Sequence, residues 1–206
     1  NVICGIMPRI TYIKPKDEMI MYCDKPIIIL PEKISVLRDV KNQRIYTDFE
    51  QLYRISFPIF EQRTEEQQMQ AFSSSSYHLA IYVEDGTFVG FIAYWVFTHY
   101  LYIEHFAIHP DLRGKGYGSV VLKTLRDSCA KRLLLEIDPV TDDVSAKRLH
   151  FYKLNGFSAN PYPHIHPPYR KGFHGHDLVV LTTGGGITPD EYKQFARDLK
   201  GIVMCF

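Results

Sequence analysis

The sequence predicts a mixed α/β fold in which a mostly antiparallel sheet is flanked by helices. Two β-branched and aromatic-rich runs, Tyr77–Val83 and Thr87–Phe97, are separated by Glu84-Asp85-Gly86. An Asp-Gly pair between two such runs is a strong hairpin signal. A third strand-like run, Tyr100–Ile108, follows at once, and helix-like and strand-like segments then alternate up to Thr183. This order places helices against the faces of one sheet.

The first half of the chain contains two helical pieces. Residues 44–71 read as helix, broken at Phe57-Pro58, with Leu52, Ile55 and Ile59 expected on one apolar stripe. Thr64 is followed three residues later by Gln67, which is the pattern of a capped helix start. Upstream, residues 25–30 form a short β-branched run bounded by prolines, which predicts a strand.

The second half alternates helices and strands. Residues 119–130 are predicted to be a helix, with Val121, Leu122, Leu125 and Cys129 on one face. Residues 132–137 are an apolar strand, and 144–155 are a second helix that Gly156 ends. A strand at 177–183 and a helix that begins after Thr188 complete the prediction.

Composition indicates one globular domain. The 206 residues are 46% hydrophobic and 23% charged, and the net charge is +1. A near-neutral chain is not drawn electrostatically to nucleic acid or to anionic membranes. No apolar run approaches the ~18–20 residues of a membrane span, and a signal-peptide pattern is not visible. The four scattered cysteines suit free thiols in a reducing cytoplasm, which is the expected location.

A glycine-rich turn, Arg113-Gly114-Lys115-Gly116-Tyr117-Gly118, joins the third strand to the next helix. Such a turn presents free backbone N–H groups at a helix N-terminus, which is a suitable site for a phosphate or pyrophosphate. It lacks the Gly-Lys-Ser/Thr end of a P-loop and the spacing of a dinucleotide fingerprint. Taken alone, the glycines are also compatible with a purely structural turn.

The wider context of the turn resembles a known family. Residues 103–119, with Arg113, Gly116 and Gly118 at fixed positions, resemble the acetyl-CoA signature of GNAT-type N-acetyltransferases. Residues 149–157 resemble the second signature of that family, an aromatic-Tyr-x-x-x-Gly-Phe run. The resemblance covers residues 44–183, so residues 1–43 and 184–206 are expected to be extensions of a single domain spanning 1–206.

The resemblance implies a GNAT-like fold, in which the fourth and fifth strands splay apart and acetyl-CoA enters the gap. The backbone of Phe106, Ala107 and Ile108 would pair with the pantetheine arm. The pyrophosphate contacts would come from the turn and its first helical residues: Arg113, Gly114, Lys115, Gly116, Tyr117, Gly118 and Ser119. Phe151 is expected either to pack or to touch the cofactor. Ser145 stands where many members have Asn, and its hydroxyl is expected to replace the amide contact.

Glu104 and Tyr152 are the predicted catalytic residues. Glu104 precedes Phe106 by two positions, and on a regular strand the two share a face while His105 points the other way. A carboxylate among aromatic side chains is expected to have a raised pKa, which suits a general base. Two alternatives are open for Glu104: a structural carboxylate, and an anchor for the substrate ammonium. Tyr152 matches the second-signature tyrosine, which implies a general acid for the CoA thiolate or else a core tyrosine.

The segment Pro161–Arg170 is stiffened by prolines and rich in tyrosine and histidine. Together with His174 and His176 it contains two His-x-His pairs. We predict no metal site here, because no cysteine or dedicated carboxylate accompanies the histidines. The segment is expected to form either a rim of the acceptor pocket or a plain surface loop. As a rim, it would offer contacts from Tyr162, His164, Tyr169 and Arg170.

These observations predict an acetyl-CoA-dependent N-acetyltransferase that acts on a primary amine by direct attack in a ternary complex. The acceptor would be a small molecule or a peptide, and the chain a monomer or homodimer that binds neither nucleic acid nor membrane. The alternative is a non-catalytic acyl-CoA-binding or sensor module of the same fold, which needs the glycine turn but neither Glu104 nor Tyr152.

Overall fold

The computed structural model describes residues 9–13, 28–29, 40–84 and 87–206. Eight strands of this part form one sheet in the order β2-β1-β3-β4-β5-β6-β10-β7, and β8 pairs with β9 separately. The strands are β1 Arg9–Ile13, β2 Ile28–Ile29, β3 Tyr77–Glu84, β4 Thr87–Val96, β5 Tyr100–Ile108, β6 Arg132–Ile137, β7 Phe157–Ala159, β8 Ile165–His166, β9 His176–Asp177 and β10 Val179–Thr183.

Five helices accompany the strands in the described ranges. They are α1 Val40–Ser56, α2 Glu65–Ser73, α3 Tyr117–Asp127, α4 Asp143–Leu154 and α5 Pro189–Asp198. The predicted capping boxes are confirmed at Thr64, which begins α2, and at Thr188, which begins α5. Gly156 has a φ of 84°, so the predicted left-handed end of α4 is also confirmed.

The helices cover both faces of the sheet, and the predicted mixed α/β class with a mostly antiparallel sheet is confirmed. Alternate residues of β4 point into opposite cores: Phe91 and Trp95 into one, Ile92 and Tyr94 into the other. The first core also contains apolar side chains of α1, α2 and α5. The second contains those of α3, with α4 packed against it.

The central strands diverge, and this divergence positions the site. β5 lies antiparallel to β4 along its length but parallel to β6 over only four pairs, from Tyr100–Arg132 to Ile103–Leu135. Beyond that point β6 pairs with β10 on its other side. The second half of β5, residues 104–108, therefore has one edge turned toward an opening in the sheet.

Some predicted details of the elements were wrong. Ile55 and Ile59 are exposed, and the buried face of α1 is formed by Phe49, Leu52 and Tyr53 instead. The rings of Phe49 and Tyr53 stack on each other and contact Phe91, and burying these large aromatic surfaces sets the rotation of the helix.

Two predicted strands and one predicted turn match the described structure only in part. The strand predicted at 177–183 is divided into β9 and β10, and the strand predicted at 25–30 is described only at β2. The predicted Asp85-Gly86 turn lies outside the described residues, although β3 and β4 pair antiparallel up to Glu84–Thr87.

Candidate active site

A cavity of about 860 Å³ fills the opening between β5 and β6. Its floor is formed by residues of β5 from Tyr102 to Ile108, and β6 supplies Leu135 to Ile137. The glycine turn and the start of α3 close one end. The other end is bounded by the segment that links α1 to α2 and by side chains from β8, β9 and the loop between them. The cavity thus connects an anion-binding turn to a wall of aromatic and titratable groups.

The glycine turn has the backbone conformation that an anion site requires. Gly114 and Gly116 have φ angles of 74° and 86°, which only glycine adopts without strain, and a Cβ at either position would meet nothing within 4 Å. Gly116 is the N-cap of α3, so the first N–H groups of the helix point out of its end. Arg113 donates from Nε to the carbonyl of Ile108 at 3.0 Å, which fixes the turn to the end of β5.

Gly118 is required for a different reason. A Cβ at this position would lie 3.0 Å from the ring of Phe151, so the absence of a side chain allows α4 to approach the start of α3. The ring of Phe106 is also near, at 3.7 Å. Phe151 therefore packs against the turn and also lines the cavity, and its contact with the cofactor stays a prediction.

Most of the predicted cofactor residues meet at this cavity. Those that line it are Phe106, Ala107, Ile108, Arg113, Gly114, Gly116, Gly118, Ser119 and Phe151. Lys115 is exposed on the turn, and Tyr117 donates its hydroxyl to Glu84. Ser145 lies elsewhere, because its hydroxyl bonds Asp142 and accepts from the N–H of Thr141 in the cap of α4. The structure thus gives its hydroxyl a capping role in place of the predicted cofactor contact.

A bulge changes which face Glu104 and its neighbours occupy. His105 pairs with Ala93 and Ile103 with Tyr94, so Glu104 is the extra residue on β5. Glu104 and His105 consequently both face the core beneath α1, where Glu104 contacts Trp95 and His105 contacts Tyr53. The prediction that His105 points away from Glu104 was wrong.

The same bulge separates Glu104 from Phe106. Phe106 packs against the opposite core, under α3, together with the side chains of Ile103 and Ile108. The prediction that Glu104 and Phe106 share a face was therefore wrong, because one extra residue reverses the alternation of the strand.

The carboxylate of Glu104 is held by hydrogen bonds and an ion pair. Arg63 donates from Nε to Oε1 at 2.9 Å, its Nη2 lies 2.8 Å from the same oxygen, and Tyr169 donates to that oxygen at 3.0 Å. Trp95 donates to Oε2 at 2.7 Å. Burial acts to raise the pKa of Glu104, but Arg63, His105 and the hydrogen bonds together lower it below its usual range. The predicted rise in this pKa was wrong, because the buried carboxylate lies beside a buried cation.

Tyr152 lies on α4 and lines the cavity. Its ring packs edge-on against Phe157 with a centroid separation of 5.5 Å, and against Phe151 at 5.1 Å. Burial raises the pKa of Tyr152 to about 12, partly offset by the charge of Arg148. The hydroxyl therefore stays protonated at neutral pH and is available as a donor.

Sequence reasoning missed a second buried carboxylate as the centre of a hydrogen-bonded group. Glu136 accepts from the Tyr102 hydroxyl at 2.5 Å and from Nε2 of His164. Nε2 of His166 lies 3.8 Å from Oε2, the oxygen that accepts from Tyr102. The available signals were the lone carboxylate in strand 132–137 and the first His-x-His pair, but nothing in the sequence indicated that they meet.

The acceptor end of the cavity carries two further carboxylates. Burial raises the pKa of Glu61 to about 7, with an added contribution from the charge of Asp138 and a smaller opposing one from Arg148. Asp138 is itself paired with Arg148. Burial and a like charge thus give Glu61 a pKa in the range where functional groups are often found.

The segment 161–176 forms part of the cavity wall through residues that differ from most of those predicted. Of the four predicted rim residues, Tyr169 lines the cavity. Tyr162 donates to the carbonyl of Ile187, and Arg170 donates to backbone carbonyls of the α1–α2 link. His166 and His176 line the cavity instead. The described part of the chain contains no cluster of three or more His, Cys, Asp or Glu side chains that could hold a metal ion.

A sheet that opens between two central strands, with a glycine turn at one end of the opening, is the arrangement of an acyl-CoA-dependent transferase. Residues 43–157 match the Acetyltransferase (GNAT) family. Because this match covers more than half of the chain, the protein belongs to the GNAT acetyltransferase family. A search of curated proteins gave no significant match.

Solved structures agree with this assignment. A protein from Bacteroides thetaiotaomicron, described as an acetyltransferase of the GNAT family, is 28% identical over 80% of this chain and 94% of its own, with a TM-score of 0.73. The Arabidopsis thaliana Naa50 in complex with the bisubstrate analogue CoA-Ac-MVNAL is 18% identical over 69% and 93% of the two chains, with a TM-score of 0.49. The ribosomal-protein-S18-alanine N-acetyltransferase of Escherichia coli is 16% identical over 72% and 92%, with a TM-score of 0.48. These last two similarities are too low to bear on the substrate of this chain.

Among the helices that the structure describes, none combines the length and apolar character needed to cross a bilayer.

Proposed function

We propose that this protein transfers the acetyl group of acetyl-CoA directly to a primary amine bound in the cavity between β5 and β6. The observation that carries the proposal is the continuity of that cavity. It runs from the glycine turn, along the free edge of β5, to a wall that holds Glu61, Asp138 and Glu136. A single ligand path thus joins an anion-binding end to a carboxylate-bearing end.

The residues at the first end fit acetyl-CoA. The positive φ angles of Gly114 and Gly116 keep the turn free of side chains and aim the N–H groups of α3 outward, as a pyrophosphate requires. The edge of β5 at Phe106–Ile108, turned away from β4, has backbone groups free for an extended arm. Lys115 and Arg113, both exposed, add positive charge at the same end.

The residues at the other end fit a cationic amine. Glu61 and Asp138 bring two carboxylates close enough for one to raise the pKa of the other. An ammonium group placed between them would relieve that repulsion and replace the water lost on burial. The aromatic rings of Phe57, Phe60 and Tyr169 border the same space and suit the carbon skeleton of an amine.

Direct transfer is favoured over an acyl-enzyme because of where the thiols lie. Of the cysteines in the described residues, Cys129 follows α3 and Cys205 is at the C-terminus, and neither lines the cavity. When bound, acetyl-CoA would supply the thioester. Tyr152 would hold a proton for the departing sulfur, and a backbone N–H of β5 aimed at the developing oxyanion would contribute about 3–4 kcal/mol.

Glu104 is proposed to position Arg63 and the α1–α2 link, and not to accept a proton. Its oxygens already accept three hydrogen bonds, it is paired with Arg63 and its pKa is lowered, so it is a poor base at neutral pH. This is the structural alternative that the sequence left open.

The proposal is tested by calorimetric titration of acetyl-CoA, followed by a thiol-release assay with a panel of small primary amines and amino-terminal peptides. Saturable binding with amine-dependent thiol release supports the transferase. Binding without turnover on any amine would favour the non-catalytic acyl-CoA-binding module instead. Cys129→Ala serves as the control for direct transfer, because an acyl-enzyme on that thiol would lose its turnover.

A further inference from the structure

One buried nitrogen in the cavity wall is left without a partner. Nε2 of His166 makes no hydrogen bond, although the side chain is only 2% exposed. The side chain lines the cavity beside Tyr169, whose ring stacks on the imidazole with centroids 4.9 Å apart. An unpaired buried polar atom costs stability, and such an atom in a native site calls for an explanation.

The other ring nitrogen fixes the tautomer. Nδ1 of His166 lies 2.6 Å from the carbonyl oxygen of Pro167. A carbonyl oxygen can only accept, so Nδ1 carries the proton and donates it. In the neutral ring, Nε2 is then the basic nitrogen with a free lone pair. The strand and loop geometry therefore holds an imidazole in the cavity wall with an unpaired basic nitrogen.

A carboxylate near His166 can stabilise the protonated ring. Glu136 places an oxygen 3.8 Å from Nε2, too far for a hydrogen bond to the neutral ring but close enough to pair with an imidazolium. Tyr102 and His164 hold that carboxylate from β5 and from the segment before β8. The arrangement resembles a general base beside a carboxylate that can balance its charge, in the state before proton transfer.

We propose that His166 is the general base of the acetyl transfer and that Glu136 stabilises the imidazolium that forms. This inference rests on the proposed function. The ammonium of the acceptor gives one proton to Nε2 of His166, and the freed nitrogen lone pair forms the C–N bond to the acetyl carbon as the C–S bond breaks. Tyr152 gives its proton to the sulfur and is restored by the second proton of the amine nitrogen. The proton on His166 leaves to solvent.

Other titratable groups face His166 and bear on its behaviour with pH. Glu136 faces it from β6, His105 from β5 and His176 from β9, while Tyr169 lies on its own segment. Burial lowers the pKa of both His105 and His176, so these rings are mainly neutral near pH 7. His105 also donates its Nε2 proton to the Glu61 carbonyl at 3.0 Å, which commits that nitrogen.

The first test does not depend on turnover. Correlation spectra of the ¹⁵N-labelled imidazoles in the full chain, assigned with His166→Asn, report which ring nitrogen carries a proton. A bare Nε2 and a protonated Nδ1 at pH 7 are expected. A proton on Nε2 at pH 7 would overturn the proposal, because that nitrogen would have no lone pair to offer.

The second test is kinetic and uses two probes. With acetyl-CoA, 2-phenylethylamine must lose a proton before attack, whereas hydroxylamine is already neutral at pH 7. His166→Asn keeps a donor for the Pro167 carbonyl and removes the basic nitrogen. It should lower kcat/KM for 2-phenylethylamine at pH 7 by about 10²-fold or more and change the hydroxylamine rate little.

The controls separate this proposal from the proposed function. The exposed His174→Asn variant should behave as wild type with both probes. Equal losses with both probes in His166→Asn would make the residue structural and reject it as a base. If the wild-type chain transferred acetyl to neither probe nor to any amine of the panel, the proposed function would fail, and the imidazole spectra would still decide the state of His166.

Discussion

Arg63 and Glu104 form an ion pair whose side chains are 1% and 0% exposed, with Nη2 of the arginine 2.8 Å from Oε1 of the glutamate. The pair joins the α1–α2 link to the bulge of β5. Arg63 also donates to the carbonyl of Val203 at 2.7 Å and lies over the rings of Trp95 and Tyr169. One guanidinium thus ties the acceptor side of the cavity to the central sheet and to the C-terminal turns.

Glu104→Gln is expected to destabilise the chain by about 3–5 kcal/mol in chemical denaturation, because it leaves Arg63 buried without a counter-ion. Adding Arg63→Met should recover part of that loss, as expected for two residues that interact directly. A variant as stable as wild type would contradict the structural role of Glu104.

The pH dependence gives a further check on Glu104. Its lowered pKa means that the folded state releases this proton more readily than the unfolded chain. The stabilisation is therefore fully present above the unfolded pKa and is lost as pH falls through the lower folded pKa. Folded Glu104→Gln should lack this acid-dependent loss, and it should keep the acidic limb of the kcat/KM profile. Loss of that limb in the variant would indicate that Glu104 is the base.

Gly116→Asp is expected to abolish acetyl-CoA binding in calorimetry. The substitution places a side chain and a negative charge at a φ of 86°, at the start of α3 where the pyrophosphate would sit. Gly172→Asp is the matched control, since Gly172 has a φ of 89°, an equally open surrounding and a position outside the cavity lining. Equal loss of binding in both variants would mean that backbone strain, and not the site, is responsible.

Tyr152→Phe is expected to lower kcat by about 10²-fold while the dissociation constant of acetyl-CoA changes little, because only the proton donor is removed. The pKa of about 12 means that no limb below pH 10 should be assigned to this residue in the wild type. Steady-state rates and calorimetry together check both points. A retained kcat would show that water, and not Tyr152, protonates the sulfur.

Glu61→Gln is expected to change how the stability of the chain depends on pH. The raised pKa of about 7 means that the folded state holds this proton more tightly than the unfolded chain. The contribution is present below the unfolded pKa and is lost as pH rises through about 7. Wild type should therefore lose melting temperature relative to the variant between pH 5 and 8. Parallel curves for the two proteins would contradict the raised pKa of Glu61.

Local chemistry made several features predictable. The capping boxes at Thr64 and Thr188, the left-handed Gly156 and the bounds of β5 depend on neighbours within four residues, and the sequence displays these neighbours directly. The glycine turn was readable for the same reason, because its function depends on backbone freedom at consecutive positions. Ser145 was misread because a hydroxyl three residues after Asp142 satisfies a cap before it can reach a cofactor.

The pairing of distant groups was not predictable. Strand alternation placed Glu104 with Phe106, but a single bulge, set by how β4 and β5 pair, reversed the faces beyond it. The partner that lowers the pKa of Glu104, Arg63, lies 41 positions away. Likewise, Glu136 and His166 meet only because β6 and the segment before β9 border the same opening.

The sequence by itself determined the strand and helix order, the capped helix ends and the glycine turn of this GNAT family member, because each is encoded by short-range backbone preferences. The tertiary structure alone decided which carboxylate is held by a cation, which imidazole keeps a free nitrogen and which residues line the cavity. These features depend on burial and on charges brought within about 4 Å across the fold. At such positions desolvation and ion pairing shift a pKa in opposite directions, and the neighbouring groups decide which effect is larger.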